Sequence, residues 1–217
     1  MTAKEFELHV AIRAYCILLL SASLGFTAIH CGLLYCHHEI VEVPWLIRQL
    51  FDLDEENNLP TWFSSFLLLN NALVLYLLAQ TRSDDHRLHW ILLAAGFLVL
   101  SIDEVAGVHE SVHTAIDFNW AIAGGILVML VGLAFVPFLL SLPRRLAVLY
   151  VVSGLLYVSG AIGVELLSED MDEDSLAYGL ATAVEETLEM LGALLFLAVN
   201  LGELKGRERV SIAFSSR

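Results

Sequence analysis

The chain has 217 residues, a formal net charge of −14 and a hydrophobic fraction of 58%, with a mean hydropathy of +0.72. A soluble domain of this length is not normally so apolar, and the apolar residues gather into runs of about 20, the length that crosses a hydrocarbon core. A transmembrane β-barrel would show short alternating segments instead, and so acidic a chain offers no surface for nucleic acid. The expectation is an all-α, polytopic helical bundle forming a single transmembrane domain over residues 1–217, with the lipid bilayer as its first partner.

Six spans are predicted in chain order. Span 1 covers about residues 10–35; this first apolar run is too long for a cleavable signal peptide. The amphipathic piece Pro44-Trp-Leu-Ile-Arg-Gln-Leu-Phe51 reads as a short helix lying in the membrane interface. The acidic loop Asp52-Leu-Asp-Glu-Glu-Asn-Asn58 leads into span 2, about 62–79. Span 3 is about 88–115. Span 4, about 120–140, carries Pro137 near its end. Span 5 is about 146–167. A second acidic loop, Glu169–Asp174, precedes span 6, about 176–201, and a short polar tail follows.

Six spans put both ends of the chain on one side. That side collects Lys4, Arg13, Arg82, Arg87, Arg144, Arg145, Lys205, Arg207, Arg209 and Arg217, while the other holds only Arg48. The positive-inside rule therefore places both termini in the cytoplasm of an inner or plasma membrane. Twelve acids fall in the outer loops, at 39, 42, 52, 54, 55, 56, 117, 169, 170, 172, 173 and 174. The outer face should attract cations. Asp52-x-Asp54-x-Glu56-x-Asn58 has the alternation of a calcium loop but lacks its sixth-position Gly and twelfth-position Glu. Cys31 and Cys36 lie at the outer end of span 1. They and Cys16 read as buried free thiols, with a disulfide or metal role as the alternative.

The chemistry concentrates in Leu100-Ser-Ile-Asp-Glu-Val-Ala-Gly-Val-His-Glu-Ser-Val-His-Thr114. It follows an apolar run without a turn signal, so one helix is expected to carry both. Asp103, Ala106, Gly107, Glu110 and His113 would then share about a third of its circumference. Glu110-x-x-His113 sets a carboxylate and an imidazole one turn apart and is similar to the Glu-x-x-His of soluble four-helix di-iron proteins. A second copy would fall at Glu186-x-x-Glu189, which lacks the His. In span 6, Tyr178, Thr182, Glu185, Glu189 and Gly192 share a face that would meet the span 3 stripe, with Glu186 at its edge.

Asp103, Glu104, Glu110, Glu165, Glu185, Glu186 and Glu189 all fall within or at the edges of spans, with no Lys or Arg at comparable depth. Each charge near the midplane costs about 2.5–3.5 kcal/mol or more, so these groups need protons, a wet cavity or a metal. An oxygen-rich set with imidazoles suits Fe or Mn better than Zn. Haem could take axial ligands from His30, His37, His109 and His113, but it needs no such surround of carboxylates. Asn70 and Asn71 read as interhelical glue, His30 as a hydrogen-bonded interface histidine, and Ser159-x-x-x-Gly163 as a packing face.

The leading functional reading is a metal-dependent membrane enzyme, an oxidoreductase or hydrolase acting on a lipid, quinol or small molecule. Asp103, Glu110, His113, Glu185 and Glu189 would bind the metal. Glu104, His109, Glu165 and Glu186 would orient those ligands or move protons. The alternative is transport: a cation or proton carrier built on an inverted three-helix repeat, with paired acids in spans 3 and 6. A homo-oligomer is compatible with either.

Overall fold

In the computed structural model, residues 11–81, 86–108 and 120–205 are described, and among them helices and their connections account for everything, without a strand. The helices are α1 (Ile12–Glu39), α2 (Trp45–Phe51), α3 (Leu59–Gln80), α4 (Arg87–Ala106), α5 (Trp120–Ser141), α6 (Arg144–Val158), α7 (Glu165–Ser168) and α8 (Leu176–Lys205). A π-helical turn, Ser159–Val164, joins α6 to α7, so Arg144–Ser168 forms one long element. Counted that way, six helices are long and apolar enough to cross a membrane.

Local chemistry sets the helix ends. Asn58 caps α3 by accepting the Thr61 N–H at 3.1 Å, and Pro60 occupies the first turn, where its missing N–H costs nothing. α6 starts directly after Pro143. α4 stops at Gly107, which takes the left-handed conformation (φ 54°, ψ 38°) and donates its N–H to the Asp103 carbonyl at 2.8 Å. This is a glycine C-cap, a conformation L side chains rarely adopt. It overturns the expectation of one helix continuous to residue 115. Asp103 and Glu104 lie in the last turn of α4, and His109, Glu110 and His113 lie outside the described residues.

α3 and α8 form the centre. The apolar stretch of α3 is 56% buried and that of α8 is 44% buried, against 6% for α5. α8 packs on α1, α3 and α6, while α4 lies along α3. Neutral polar pairs clasp these helices. Ser65 and Ser101 each donate to the other's backbone carbonyl, at 2.7 and 2.9 Å. Asn71 donates to Ala193 O at 2.9 Å, and Asn70 accepts the Tyr15 hydroxyl at 2.9 Å, so both asparagines bridge helices as expected. Thr27 meets Thr187 at 2.7 Å. The three cysteines are free and half-buried.

Two glycines let the π-turn element press against α8. A Cβ at Gly160 would lie 2.5 Å from Glu185 O, and one at Gly192 would lie 2.6 Å from Tyr157 N. Gly163, the glycine singled out in the sequence, has no atom of another described helix within 4 Å. The packing face is therefore Gly160 against Gly192's helix, one π-turn residue away from the expected motif.

Candidate functional site: an acidic cleft

Helix direction brings the acids to one end of the bundle. Glu104 sits in the last turn of α4, Glu165 begins α7, and Glu185, Glu186 and Glu189 occupy the first half of α8. All five are half-buried. They lie close enough for their charges to interact: Glu104 with Glu186 and Glu189, and Glu165 with Glu185 and Glu189. Asp103 interacts with Glu104 in turn. The convergence expected of these residues is present.

A small cavity opens among them, lined by Ser64, Leu67, Leu68, Glu104, Tyr157, Glu189, Met190 and Ala193. Tyr157 and Glu189 line the same wall and interact electrostatically. The position of Tyr157 depends on the π turn that follows it, because the turn lets Gly160 sit on the Glu185–Glu189 backbone. π turns of this kind are frequent at functional sites. The α8 face of Tyr178, Thr182, Glu185, Glu189 and Gly192 therefore packs on the π-turn element and the first acidic loop. Of the expected span 3 stripe, Glu110 and His113 lie outside the described residues; among the described residues of α4, Glu104 lines the cavity with this face.

The first acidic loop is part of the site. Asp54 accepts the Tyr178 hydroxyl at 3.0 Å and the Thr182 hydroxyl at 3.4 Å, which lays the loop over the head of α8. Its charge reaches Glu185 and Glu186. The Glu56 carboxylate lies against Gly107 and interacts with Glu104. Asp52 turns the other way, to His30 Nδ1 at 3.2 Å. The alternation that resembled a calcium loop thus sends Asp52, Asp54, Glu56 and Asn58 to four different places.

Two of these loop acids titrate abnormally. Burial raises the Asp54 carboxyl above the usual range; the Asp52 and Glu55 charges add to this, against the Tyr178 and Thr182 hydrogen bonds. Burial acts on Asp52 in the same sense. There, the neighbouring His30, the Asp54 N–H and the Arg48 charge together outweigh it and hold the carboxyl below the usual range.

His30 and His37 serve the backbone. His30 is buried, accepts the Leu53 N–H at 3.1 Å and meets Gly179 O at 3.2 Å. His37 accepts the Val43 N–H at 3.1 Å. Both act as hydrogen-bonded anchors. Sequence reading missed Asp54, Glu56 and Tyr157 as members of the site. The shared face of Tyr178 and Thr182 with Glu185 was the available signal, because two hydroxyls above an acidic turn suit an incoming carboxylate.

Among the described residues no lysine or arginine faces this cluster. Among the described residues Arg13, Arg87, Arg144, Arg145 and Lys205 sit in terminal turns at the opposite end, and Arg48 lies in α2. The cleft can therefore accept protons, metal ions or organic cations. Among the described residues no three His, Cys, Asp or Glu side chains come together as a metal site. A metal site would need Glu110 or His113 to complete it.

The chain belongs to the family described as "Domain of unknown function (DUF8692)", whose model matches residues 14–202. The match takes in every residue of the cleft and its loop. No curated protein and no solved structure matches the chain.

Proposed function

We propose that this is an integral membrane protein, with cytoplasmic termini and an outward-facing acidic cleft, that works as a cation-dependent membrane enzyme. Glu104, Glu185 and Glu189, joined by Asp103 and by Glu110 and His113, would bind a divalent metal, Fe or Mn in preference to Zn. Glu165, Glu186 and His109 would carry protons. Substrate would be a lipid, quinol or small amphiphile, because the cavity walls beside the carboxylates are Leu67, Leu68, Met190 and Ala193. The observation that carries this reading is the mutual approach of Glu104, Glu186 and Glu189 with, among the described residues, no lysine or arginine beside them. Such charges in an apolar bundle need a counter-ion.

The second reading, a proton or cation carrier, is favoured by the meeting of paired acids from α4 and α8. Against it stands the layer below the cavity. Ala94, Trp90, Leu75, Leu194 and Leu197 are all buried there. From Glu189 to the next buried polar residue of α8, Asn200, is about 16 Å at 1.5 Å per residue. A released ion would have to cross that wall.

Elemental analysis of anaerobically purified protein tests the enzyme reading. Stoichiometric Fe or Mn, lost in Glu189→Gln and in Glu110→Ala, is the expected result. Metal-free protein whose melting temperature does not respond to added Fe, Mn or Zn would sink it. Saturable Mn(II) uptake into proteoliposomes, abolished by Glu104→Gln, would promote the carrier instead.

A further inference from the structure

A second cavity lies outside the acidic cleft, where the end of α1 meets α2. It is a partly open cleft lined by His30, Leu33, Leu34, Arg48, Phe51 and Asp52. Arg48 is the only basic residue that the sequence assigns to this side of the bundle. Its Nε is buried with no hydrogen-bond partner. A guanidinium nitrogen buried in that state is destabilising until something accepts from it. Asp52 is the obvious acceptor, four residues on, and its carboxylate feels the Arg48 charge. Yet the Asp52 carboxylate is turned to His30, and no ion pair within 4 Å joins it to Arg48. Cation and carboxylate thus line the same cavity without meeting.

The two His30 nitrogens are already engaged by Leu53 N and Gly179 O, so Arg48 is the donor left for a ligand and Asp52 the acceptor. Arg binds phosphate through its planar fork better than any other side chain. An ammonium next to that phosphate would satisfy Asp52. The surroundings are apolar: Leu33, Leu34 and Phe51 form the walls, and the lip carries exposed Trp45, Leu46, Ile47 and Leu50 of α2. Gly25 and Ile29 continue down α1 on the face of Leu33. A Cβ at Gly25 would meet nothing within 4 Å, and Ile29 is 42% exposed. An open apolar track therefore descends from a charged pocket, the arrangement of a headgroup with its acyl chain.

We propose that the cavity between α1 and α2 is a binding site for a zwitterionic phospholipid, with Arg48 holding the phosphodiester and Asp52 the ammonium. The site rests on the membrane reading of the six helices but not on the cation chemistry of the cleft.

Full-length protein, delipidated in mild detergent, would be titrated with phosphatidylethanolamine, phosphatidylglycerol and glycerophosphoethanolamine. Thermal shift and native mass spectrometry are the readouts. Phosphatidylethanolamine should be retained best and raise the melting temperature. Arg48→Gln should weaken its retention about tenfold, the loss of one charge-assisted contact. Arg48→Lys should retain part of it. Asp52→Asn should erase the preference over phosphatidylglycerol while leaving phosphate-dependent binding. Equal retention of all lipids by wild type and Arg48→Gln would overturn the site as a generic lipid annulus. Equal, Arg48-dependent stabilisation by glycerophosphoethanolamine would assign the pocket to a free phosphodiester and overturn the lipid. Carbonate extraction of the chain from membranes would refute the membrane reading itself, a result separate from either.

Discussion

Two groups of polar residues lie inside this bundle, and they obey opposite rules. At the end away from the acidic loops, Tyr150, Ser153 and Asn200 are neutral and partnered. Tyr150 donates to Asn200 Oδ1 at 2.5 Å, Asn200 donates to Phe196 O at 2.9 Å, and Ser153 donates to Gly192 O at 3.1 Å. The Tyr150 ring stacks on Phe196 with centroids 4.6 Å apart. In the cleft, carboxylate faces carboxylate. Glu104, Glu185, Glu186 and Glu189 gather where a helical bundle would be more stable with Leu or Gln. The first group shows what this fold does when polarity serves packing: it uses amides and hydroxyls and pairs them. The second departs from that habit, which is the physical reason to assign function to it.

The comparison can be broken at its hinge. Gly192 lies between the two groups, where a Cβ would come within 2.6–2.9 Å of the Tyr157 and Ser153 backbone. Gly192→Val must push α6 and the π turn off α8. The expected loss is about 3 kcal/mol, at the upper end for overpacking, read as a melting-temperature drop in detergent, with loss of whatever cation binding the cleft supports. A variant as stable as wild type would show that the close approach at Gly192 does not hold the two halves in place.

Asn200→Ala sharpens the neutral side. It leaves the buried Tyr150 hydroxyl without its acceptor, at a cost of about 2 kcal/mol. Tyr150→Phe alone should cost less, and adding it to Asn200→Ala should recover part of the loss. Additive losses in that double-mutant cycle would mean that the pair is not coupled.

The cleft should respond with the opposite sign. Glu186→Gln removes a charge from among Glu185, Glu189 and Glu104. Without added metal the variant should melt higher, by on the order of 1 kcal/mol, and should lose stabilisation by Mn(II) or Fe(II). A lower melting temperature in metal-free buffer would class Glu186 with Asn200, as a structural group.

What the sequence could disclose follows from range. The six helices were legible because each is written in one continuous apolar run, and the bridging roles of Asn70, Asn71 and His30 followed from polar groups set in such runs. The end of α4 was not legible. Gly107 sits among Val105, Ala106 and Val108, where a glycine reads as a small packing residue. Only its positive φ and its bond to Asp103 O reveal a cap. The contribution of Asp54 was hidden for another reason: its partners Tyr178 and Thr182 lie more than a hundred residues away, and nothing in 52–58 itself points to α8. The π turn carries no local signature beyond two glycines. Tyr157 gains its place beside Glu189 only through that turn.

The smallest expected effect tests the loop that closes over the cleft. Asp52 and Asp54 are two residues apart and titrate in opposite directions. The Asp52 carboxyl lies below its ordinary value when the loop is docked, so it favours docking above about pH 4, the unperturbed range for Asp, and that help is lost as pH falls through the lowered value. The Asp54 carboxyl lies above its ordinary value when docked, so it favours docking at acid pH and opposes it as pH rises through the raised value. Hydrogen exchange over residues 52–58 in the full chain separates the two. Asp52→Asn should leave a loop that tightens on acidification from pH 7 to pH 4, and Asp54→Asn should leave one that loosens over the low end of that range. Each change should stay below about tenfold in protection, since tenfold would need a full pKa unit of difference. Parallel pH responses in the two variants would mean that His30 and α8 do not hold these carboxylates apart, and the loop would then be an acidic surface rather than part of the cleft.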